Sequence, residues 1–467
     1  MSRRLPFLFS LFLLAGCALP LRERDVFRCE PIAVGTAPGN VPAGVLPPRP
    51  RGAGELIGTV DLDLALLTEI AFENSPEIRR SWQMAQVAAA QRGKALCAFV
   101  PTLSATGSAT RQRIENPIQG GKPLSVTIFS EPSLHLNYVL FTFGATRAAA
   151  DAFGRSLAVA RFQYNRSLQT LLYRVQVAYF ALDSALATLA VREVNLRDAT
   201  ELQNLEEIRM QSGLSNRQSL CQARAGVLRA RGQLEAAQAN VERARAALAE
   251  AVGVRISSAF RITRSQLPEK VEALDGDVEE MVAKALSMRQ DLMAAHSQWQ
   301  AARSWERAAR DNFLPQLVIS ADGTLSDYRN FGRSKTFSAS VGLSWDVFGS
   351  CGKSFQLREQ RAQRRAAREG LRAAELQAAG EVWTQYFAYR SAHRQLLSGR
   401  ALLEVAQESF SAAEIAYRSG LCGFLDLLSA QTALASARET LVAAENAFST
   451  ALAALAYAVG DLKAAGI

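Results

Sequence analysis

Two stretches of this chain, 207 residues apart, carry the same seven-residue pattern of large and small side chains. In the second, Leu427, Leu434, Leu441, Phe448 and Leu455 recur every seventh position, with Ala430, Ala437, Ala444 and Ala451 three residues after the first four. In the first, Leu220, Val227, Leu234, Val241 and Leu248 alternate in the same way with Ala223, Ala230, Ala237 and Ala244. This is the seam of a helix lying along a partner, and an alanine at every second seam position requires that partner to come close. Ser212-Gly213-Leu214 and Ser419-Gly420-Leu421 precede the two stretches; Val252-Gly253 and Val459-Gly460 close them. The chain is therefore a duplication of a unit built on long packed helices.

Between those helices lie segments of period two. Thr102, Ser104, Thr106, Ser108 and Thr110 alternate with Leu103, Ala105, Gly107 and Ala109. Beyond a polar loop, Leu134, Leu136, Tyr138 and Leu140 alternate with Ser133, His135 and Asn137. The second repeat shows Leu317, Ile319, Ala321, Gly323 and Leu325 against Val318, Ser320, Asp322, Thr324 and Ser326. Phe337, Ala339, Val341, Leu343, Trp345 and Val347 then stand against Ser338, Ser340, Gly342, Ser344 and Asp346. Strands are expected at about 102–114, 125–141, 316–327 and 335–348. One apolar and one hydroxyl-rich face is the pattern of a transmembrane β-barrel, with Tyr138, Phe141, Phe143, Trp345 and Phe348 where an aromatic girdle would lie. A soluble sandwich with one wet face is the competing reading. Four strands cannot close a barrel, and an open edge cannot stand in hydrocarbon, so several copies are required to share one wall.

Each hairpin follows its second strand. The segments 143 to about 211 and 351 to about 418 read as helices of about 100 Å, at 1.5 Å per residue, that return through the Ser-Gly turns as the seam helices. Asn74-Ser75-Pro76-Glu77 marks a helix break, with Ser75 as cap and Pro76 in the first turn. Phe99-Val100-Pro101 and Phe313-Leu314-Pro315 stop helices before the strands.

The N-terminus has the form of an export signal. Arg3-Arg4 precede an apolar run to Ala15, and Leu14-Ala15-Gly16-Cys17 resembles a bacterial lipobox, with Cys17 as the lipidated residue; an ordinary secretory leader is the alternative. Ala18, rather than Asp, follows Cys17 and by resemblance to lipoproteins points to the outer membrane. The organisation expected is a signal peptide 1–16, a lipidated tether 17–60 and a first repeat 61–253. A linker 254–277, a second repeat 278–460 and a tail 461–467 follow. Cys29, Cys97, Cys221, Cys351 and Cys422 lack metal spacing and read as small packing residues; a Cys97–Cys351 disulfide is the other option. The formal charge of +9 is interleaved with Glu. The densest basic run, 358–372, is interrupted by Glu359 and Glu369 and holds no aromatic residue, so it reads as a solvated helix face and not as a nucleic-acid surface.

The order and spacing of these pieces resemble the TolC-like outer-membrane factor family. The resemblance covers about 60–460 and is carried by Asn74-Ser75-Pro76-Glu77-Ile78, Phe99-Val100-Pro101, 138–147 (YVLFTFGATR), Phe313-Leu314-Pro315, Trp345-Asp346-Val347-Phe348 and 417–431 (YRSGLCGFLDLLSAQ). It implies an α+β membrane protein: a homotrimer sharing a twelve-stranded β-barrel in the outer membrane, continued by an α-helical tunnel through the periplasm. The implied role is the passive channel of a tripartite efflux or type I secretion system, passing substrates from an inner-membrane pump. It further implies that a periplasmic adapter docks at the hairpin tips, 211–217 and 418–424, at Ser212, Gly213, Leu214, Ser419, Gly420 and Leu421.

By the same resemblance Tyr417 and Asp426 fall on positions that hold the periplasmic end closed, although Cys422 stands where some members have Arg and Ser429 where some have Asp. Asp426 is equally well placed to cap the helix beside the turn. Gly213 and Gly420 suit left-handed turn positions. No enzyme, cofactor or metal site is expected: His135, His296 and His393 lie on separate elements, and no HExxH, GxSxG or phosphate-loop pattern occurs. A lipid-anchored coiled-coil scaffold is the other function class, and it leaves four two-faced strands without a purpose.

Overall fold

A computed structural model describes residues 62–115, 123–254, 262–263, 277–328, 332–347 and 351–460. Cys17, the leader and tether, Cys29, Phe348, most of the linker and the tail lie outside the described residues. Within them the order is α1 Leu64–Asn74, α2 Pro76–Leu96, a 3₁₀ turn Cys97–Phe99, β1 Thr102–Glu115, β2 Pro123–Phe141, α3 Ala145–Gln211 and α4 Arg217–Val252. The second repeat follows as α5 Val278–Met288, α6 Gln290–Asp311, β3 Gln316–Tyr328, β4 Gly332–Ser344, α7 Gly352–Arg418 and α8 Phe424–Val459. The long helices α3 and α7 are 67 residues each, and the seam helices α4 and α8 are 36 each.

The seam is packed as its period requires. Leu220, Val227, Val241 and Leu248 are buried with Ala223, Ala230 and Ala237, as are Leu427, Leu434, Phe448 and Leu455 with Ala430, Ala437 and Ala444. The half-buried exceptions, Leu234 and Ala244, have half-buried counterparts in Leu441 and Ala451, so the packing repeats along with the sequence. Val241 and Leu248 meet Val175, Tyr179 and Leu182 of α3, and Phe448 and Leu455 meet Val382, Tyr389 and Leu396 of α7. By length and composition α8 could cross a membrane. Its apolar seam is instead packed against neighbouring helices. Ion pairs tie α3 to α8 across the two repeats: Arg438 to Asp198 at 2.6 Å and Arg192 to Glu439 at 2.7 Å.

Ser75 is extended between α1 and α2, and its hydroxyl accepts from the Ile78 N–H at 3.4 Å with Pro76 opening the next helix. The second repeat breaks at the matching place. Arg289, at φ −66° and ψ 126°, separates α5 from α6 although no proline is near. It is buried, donates to the Ala458 carbonyl at 3.1 Å and pairs with Glu381 at 2.7 Å. The break there is held by tertiary contacts.

The four strands form one antiparallel sheet in the order β1-β2-β3-β4. Its register sets like against like. Thr102, Asn137, Ser320 and Ser340 form one cross-strand row, Ser104, His135, Asp322 and Ser338 the next, and Thr106, Ser133, Thr324 and Thr336 the third. Between them Leu103, Leu136, Ala321 and Ala339 line up on the other face. A one-residue slip would mix the faces, so this alternation specifies the register. No strand pairs with the outer edge of β1 or β4 among the described residues. β4 lies earlier than the expected 335–348, ending at Ser344 opposite Gln316. Pro315 precedes Gln316 and has no N–H to extend the ladder. Trp345 turns away and donates its indole N–H to the Phe313 carbonyl at 3.0 Å.

The strands and flanking helix segments, 83–163 and 291–374, form one compact unit; the remaining described helices form another. These units cut across the two repeats, since each repeat contributes to both. The cysteine expectation needs correction. Cys97, Cys221 and Cys351 are exposed and Cys422 half-buried, and all four are free, so no Cys97–Cys351 bridge forms.

Candidate functional site

The two hairpin turns share one backbone construction. Leu214 N–H donates to the Arg209 carbonyl and Gly213 N–H to that of Met210; Leu421 and Gly420 repeat this onto Ala416 and Tyr417. These are Schellman closures with the glycine in the left-handed region, at φ 74° for Gly213 and 75° for Gly420. Ser212 and Ser419 each return a hydroxyl to the carbonyl four residues earlier. Leu214 and Leu421 are exposed at 70% and 84%, so each turn presents an apolar side chain to solvent.

The caps of the outgoing helices differ. Asn216 accepts from the Ser219 N–H at 2.8 Å, a forward cap on α4. In the second repeat Gly423 has no side chain, and the Asp426 carboxylate reaches back to the Gly423 N–H at 2.9 Å. Each turn thus carries one half of the reciprocal capping arrangement. Asp426 occupies the capping position of the two roles considered for it, and it remains at an exposed turn where its charge is available.

Tyr417 lies elsewhere. It is buried at the end of α7, and its phenol donates to Glu206 of α3, whose side chain is fully buried and also accepts from the Ser215 hydroxyl at 2.6 Å. Arg209, one turn beyond Glu206, stacks its guanidinium 4.4 Å from the Tyr417 ring centroid and donates to the Tyr417 carbonyl at 3.2 Å. Leu202, Ala223, Phe424 and Leu427 surround the cluster. Burial, then the hydrogen bond to Glu206, push the Tyr417 phenol above the ordinary tyrosine range, so it stays protonated and donates. A carboxylate can be held in such a place only with donors on it. Breaking Tyr417–Glu206 leaves it under-satisfied, so this contact ties the end of one hairpin to the other. Cys422, where an Arg was considered, offers its thiol to the Ala413 carbonyl at 3.6 Å and adds no charge.

Tyr417 and Asp426 are therefore not brought together. Glu206 and Arg209, which sequence reasoning did not select, complete the cluster around Tyr417. The only signal available was a Glu and an Arg three apart just before the first turn, which is indistinguishable from an ordinary surface pair.

The polar sheet face brings together groups that lie far apart in sequence. His135 Nδ1 lies 2.5 Å from Asp322, and His135 Nε2 is 3.0 Å from the Ser133 hydroxyl. This order of contacts resembles a hydrolase triad. However, β2 is paired on both sides, so its N–H groups are engaged in the ladder and form no oxyanion-binding pair. The arrangement serves as a hydrogen-bonded row on the polar face.

A sheet polar on one face and apolar on the other, long helical hairpins and a duplicated plan recur in known proteins. The outer-membrane channel OprN superposes with a TM-score of 0.76 at 22% identity, covering 85% of this chain and 89% of that one. VceC of Vibrio cholerae superposes at 0.75 and 21%, covering 85% and 96%. Protein CyaE of Bordetella pertussis is 27% identical over 442 residues, 91% of this chain and 88% of its own length. The pyoverdine export outer membrane protein OpmQ of Pseudomonas putida is 25% identical over 438 residues, 90% and 91%. A probable outer membrane lipoprotein, SilC of Salmonella typhimurium, is 24% identical over 396 residues, 80% of each. The family described as outer membrane efflux protein matches residues 67–254 and 281–461, the two repeats. With both repeats matched, the helices and two-faced strands are the parts of an efflux channel of the outer membrane, and the chain belongs to the outer membrane efflux protein family.

Proposed function

We propose that three copies close one twelve-stranded barrel in the outer membrane and act as the passive exit duct of a tripartite export system. An inner-membrane pump supplies the energy and a periplasmic adapter docks at the turns around Ser212-Gly213-Leu214 and Ser419-Gly420-Leu421. The observation that carries this reading is the four-stranded sheet with a single polar face and, among the described residues, two unpaired edges: a lipid-exposed edge is untenable, and pairing β4 of one copy with β1 of the next removes it. The exposed Leu214 and Leu421 support docking at the tips. The lipobox at Cys17 and the similarity to a lipoprotein support a lipid anchor. The chain performs no chemistry on what it passes. The buried Tyr417–Glu206 contact supports a closed resting tip, and Asp426 is its exposed charge.

The test is the mass of full-length protein extracted from outer membranes in mild detergent, by light scattering corrected for detergent, followed by reconstitution into planar bilayers. A trimer that conducts supports the duct. A monomer refutes it, as does a trimer that stays non-conducting even when Tyr417→Phe releases the tie at the tip, and either returns the helices to the scaffold reading.

A further inference from the structure

In the unit that holds the sheet, one face of α7 is a line of arginines. Arg358, Arg361, Arg365, Arg368 and Arg372 follow one another at spacings of three and four, all exposed, beginning shortly after β4 ends at Ser344. At 1.5 Å per residue the line covers about 21 Å. Only Glu359 and Glu369 interrupt the run, and Arg361, together with neighbouring Arg364, is committed to the buried carboxylate of Glu306, at 3.7 and 3.0 Å.

The side on which this line lies can be read from the structure. A small cavity at the base of the sheet is lined by Gln316 and Ser344 together with Lys353 and Gln356. Gln316 and Ser344 share strand parity with Ser320 and Ser340, so this cavity opens on the polar face. Gln356 and Arg365 are nine residues apart, two and a half helical turns, which puts them on opposite sides of α7. The arginine line therefore continues the apolar, lipid-directed face of the sheet. Beside its first member the Phe355 ring is 61% exposed, with the Arg358 guanidinium 5.5 Å from its centroid, an aromatic and a cation paired as at a membrane–water boundary.

The geometry points to a collar that binds the phosphate groups of anionic phospholipids in the periplasmic leaflet of the outer membrane. It rests on the outer-membrane placement of the sheet. Two observations select this occupant: the line is continuous with the lipid-directed face, and its charge is left unbalanced on its own helix. A second copy is a poor match, because along α2, the helix leading into the opposite sheet edge, 83–96 carries Arg92 and Lys94 and no carboxylate. Arg358 enters the headgroup layer and Arg365, about 10 Å further along the helix, acts from about one Debye length of it, while Arg368 and Arg372 extend the positive field toward the periplasm.

Full-length protein in mild detergent is titrated with dioleoyl-phosphatidylglycerol or dioleoyl-phosphatidylethanolamine, and bound lipids are counted by native mass spectrometry. The wild type should prefer the anionic lipid by about tenfold. Raised salt should abolish that preference without any substitution. Arg358, Arg365, Arg368 and Arg372 changed together to Gln should bring it close to parity, whereas the same change at the exposed Arg197, Arg229, Arg231 and Arg243 should leave it intact. Equal retention of the two lipids by the wild type, a preference that survives salt or the collar variant, or an equal loss in the control variant would overturn the collar. Conductance of the collar variant in phosphatidylethanolamine bilayers reports on the duct separately.

Discussion

Glu206 and Tyr417 are joined by a buried hydrogen bond that the duplication does not generate. Counted through the repeat, Glu206 corresponds to Ala413 and Tyr417 to Met210, so neither repeat could make the contact alone. It ties the end of one hairpin to the other at the turns.

Replacing Tyr417 with Phe keeps the ring over Arg209 and removes only the donor. A hydrogen bond to a charged group contributes about 1.5–3 kcal/mol. The variant should show faster amide exchange in 205–224 and 410–430 and a larger open-channel current in planar bilayers. Unaltered exchange and current would demote the bond from tie to packing detail.

Alkaline pH should weaken the helices. Tyr179, whose phenol donates to the Thr263 carbonyl, is pushed up to about 12 by burial and then by the charges of Asp183 and Asp63. Tyr417 is raised as well. With the folded value above the unfolded one, the folded chain holds more protons between the two, so stability is fully present below the ordinary tyrosine value and falls as pH rises beyond it. Denaturant midpoints should be level from about pH 7 to 9 and decline above about pH 10. The double change Tyr179→Phe, Tyr417→Phe should flatten that decline from a lower starting point; an equally steep decline would assign it to other groups.

Asp426 holds a cap and a charge at once, and two substitutions separate them. Asp426→Asn keeps an oxygen for the Gly423 N–H, while Asp426→Ala loses both, at a cost of about 1 kcal/mol. Cation preference in bilayers should fall in both variants, and thermal stability only in the second. If Asn retains the wild-type preference, Asp426 is a cap alone.

Two glycines should respond in opposite ways. Gly420 has φ 75° with open space around it, so Gly420→Ala costs about 1–2 kcal/mol from the backbone alone. Gly399, inside α7, faces the Leu441 Cα at 3.6 Å from where a Cβ would sit, an ordinary contact. Gly399→Ala should therefore be neutral or stabilise by about 0.5–1 kcal/mol, and Gly399→Leu should push α7 from α8. Melting temperatures of the three variants check the order.

The small seam positions make a similar test. Ala437 is 1% exposed, and Ala437→Leu should destabilise by about 1–3 kcal/mol, more than Ala451→Leu at a half-buried position. Equal losses would show that the half-buried site is closed by something else.

The elements written in the sequence were those set by a period. The Leu/Ala seam located α4 and α8, and the Ser/Thr alternation located four strands and the face each residue takes; the register came from the structure, where a slip would place Asp322 among leucines. What escaped depends on contacts between distant segments. Arg289 ends a helix through Ala458 and Glu381, which no local rule encodes. β4 stops at Ser344 because its partner begins after a proline. At the site, the glycine turns and the Asp426 cap are local and were legible, while the Glu206 partner of Tyr417 lies 211 residues away and is matched by no repeat.

The unpaired edges of β1 and β4 also have a genetic consequence. In the proposed shared barrel, a chain whose edge is damaged but whose helices are sound would still join intact copies, and one faulty seam would leave the whole wall open. Such an allele, co-expressed with the wild type, should be dominant, whereas one that destroys the helical seam should be recessive, because its product never reaches its partners.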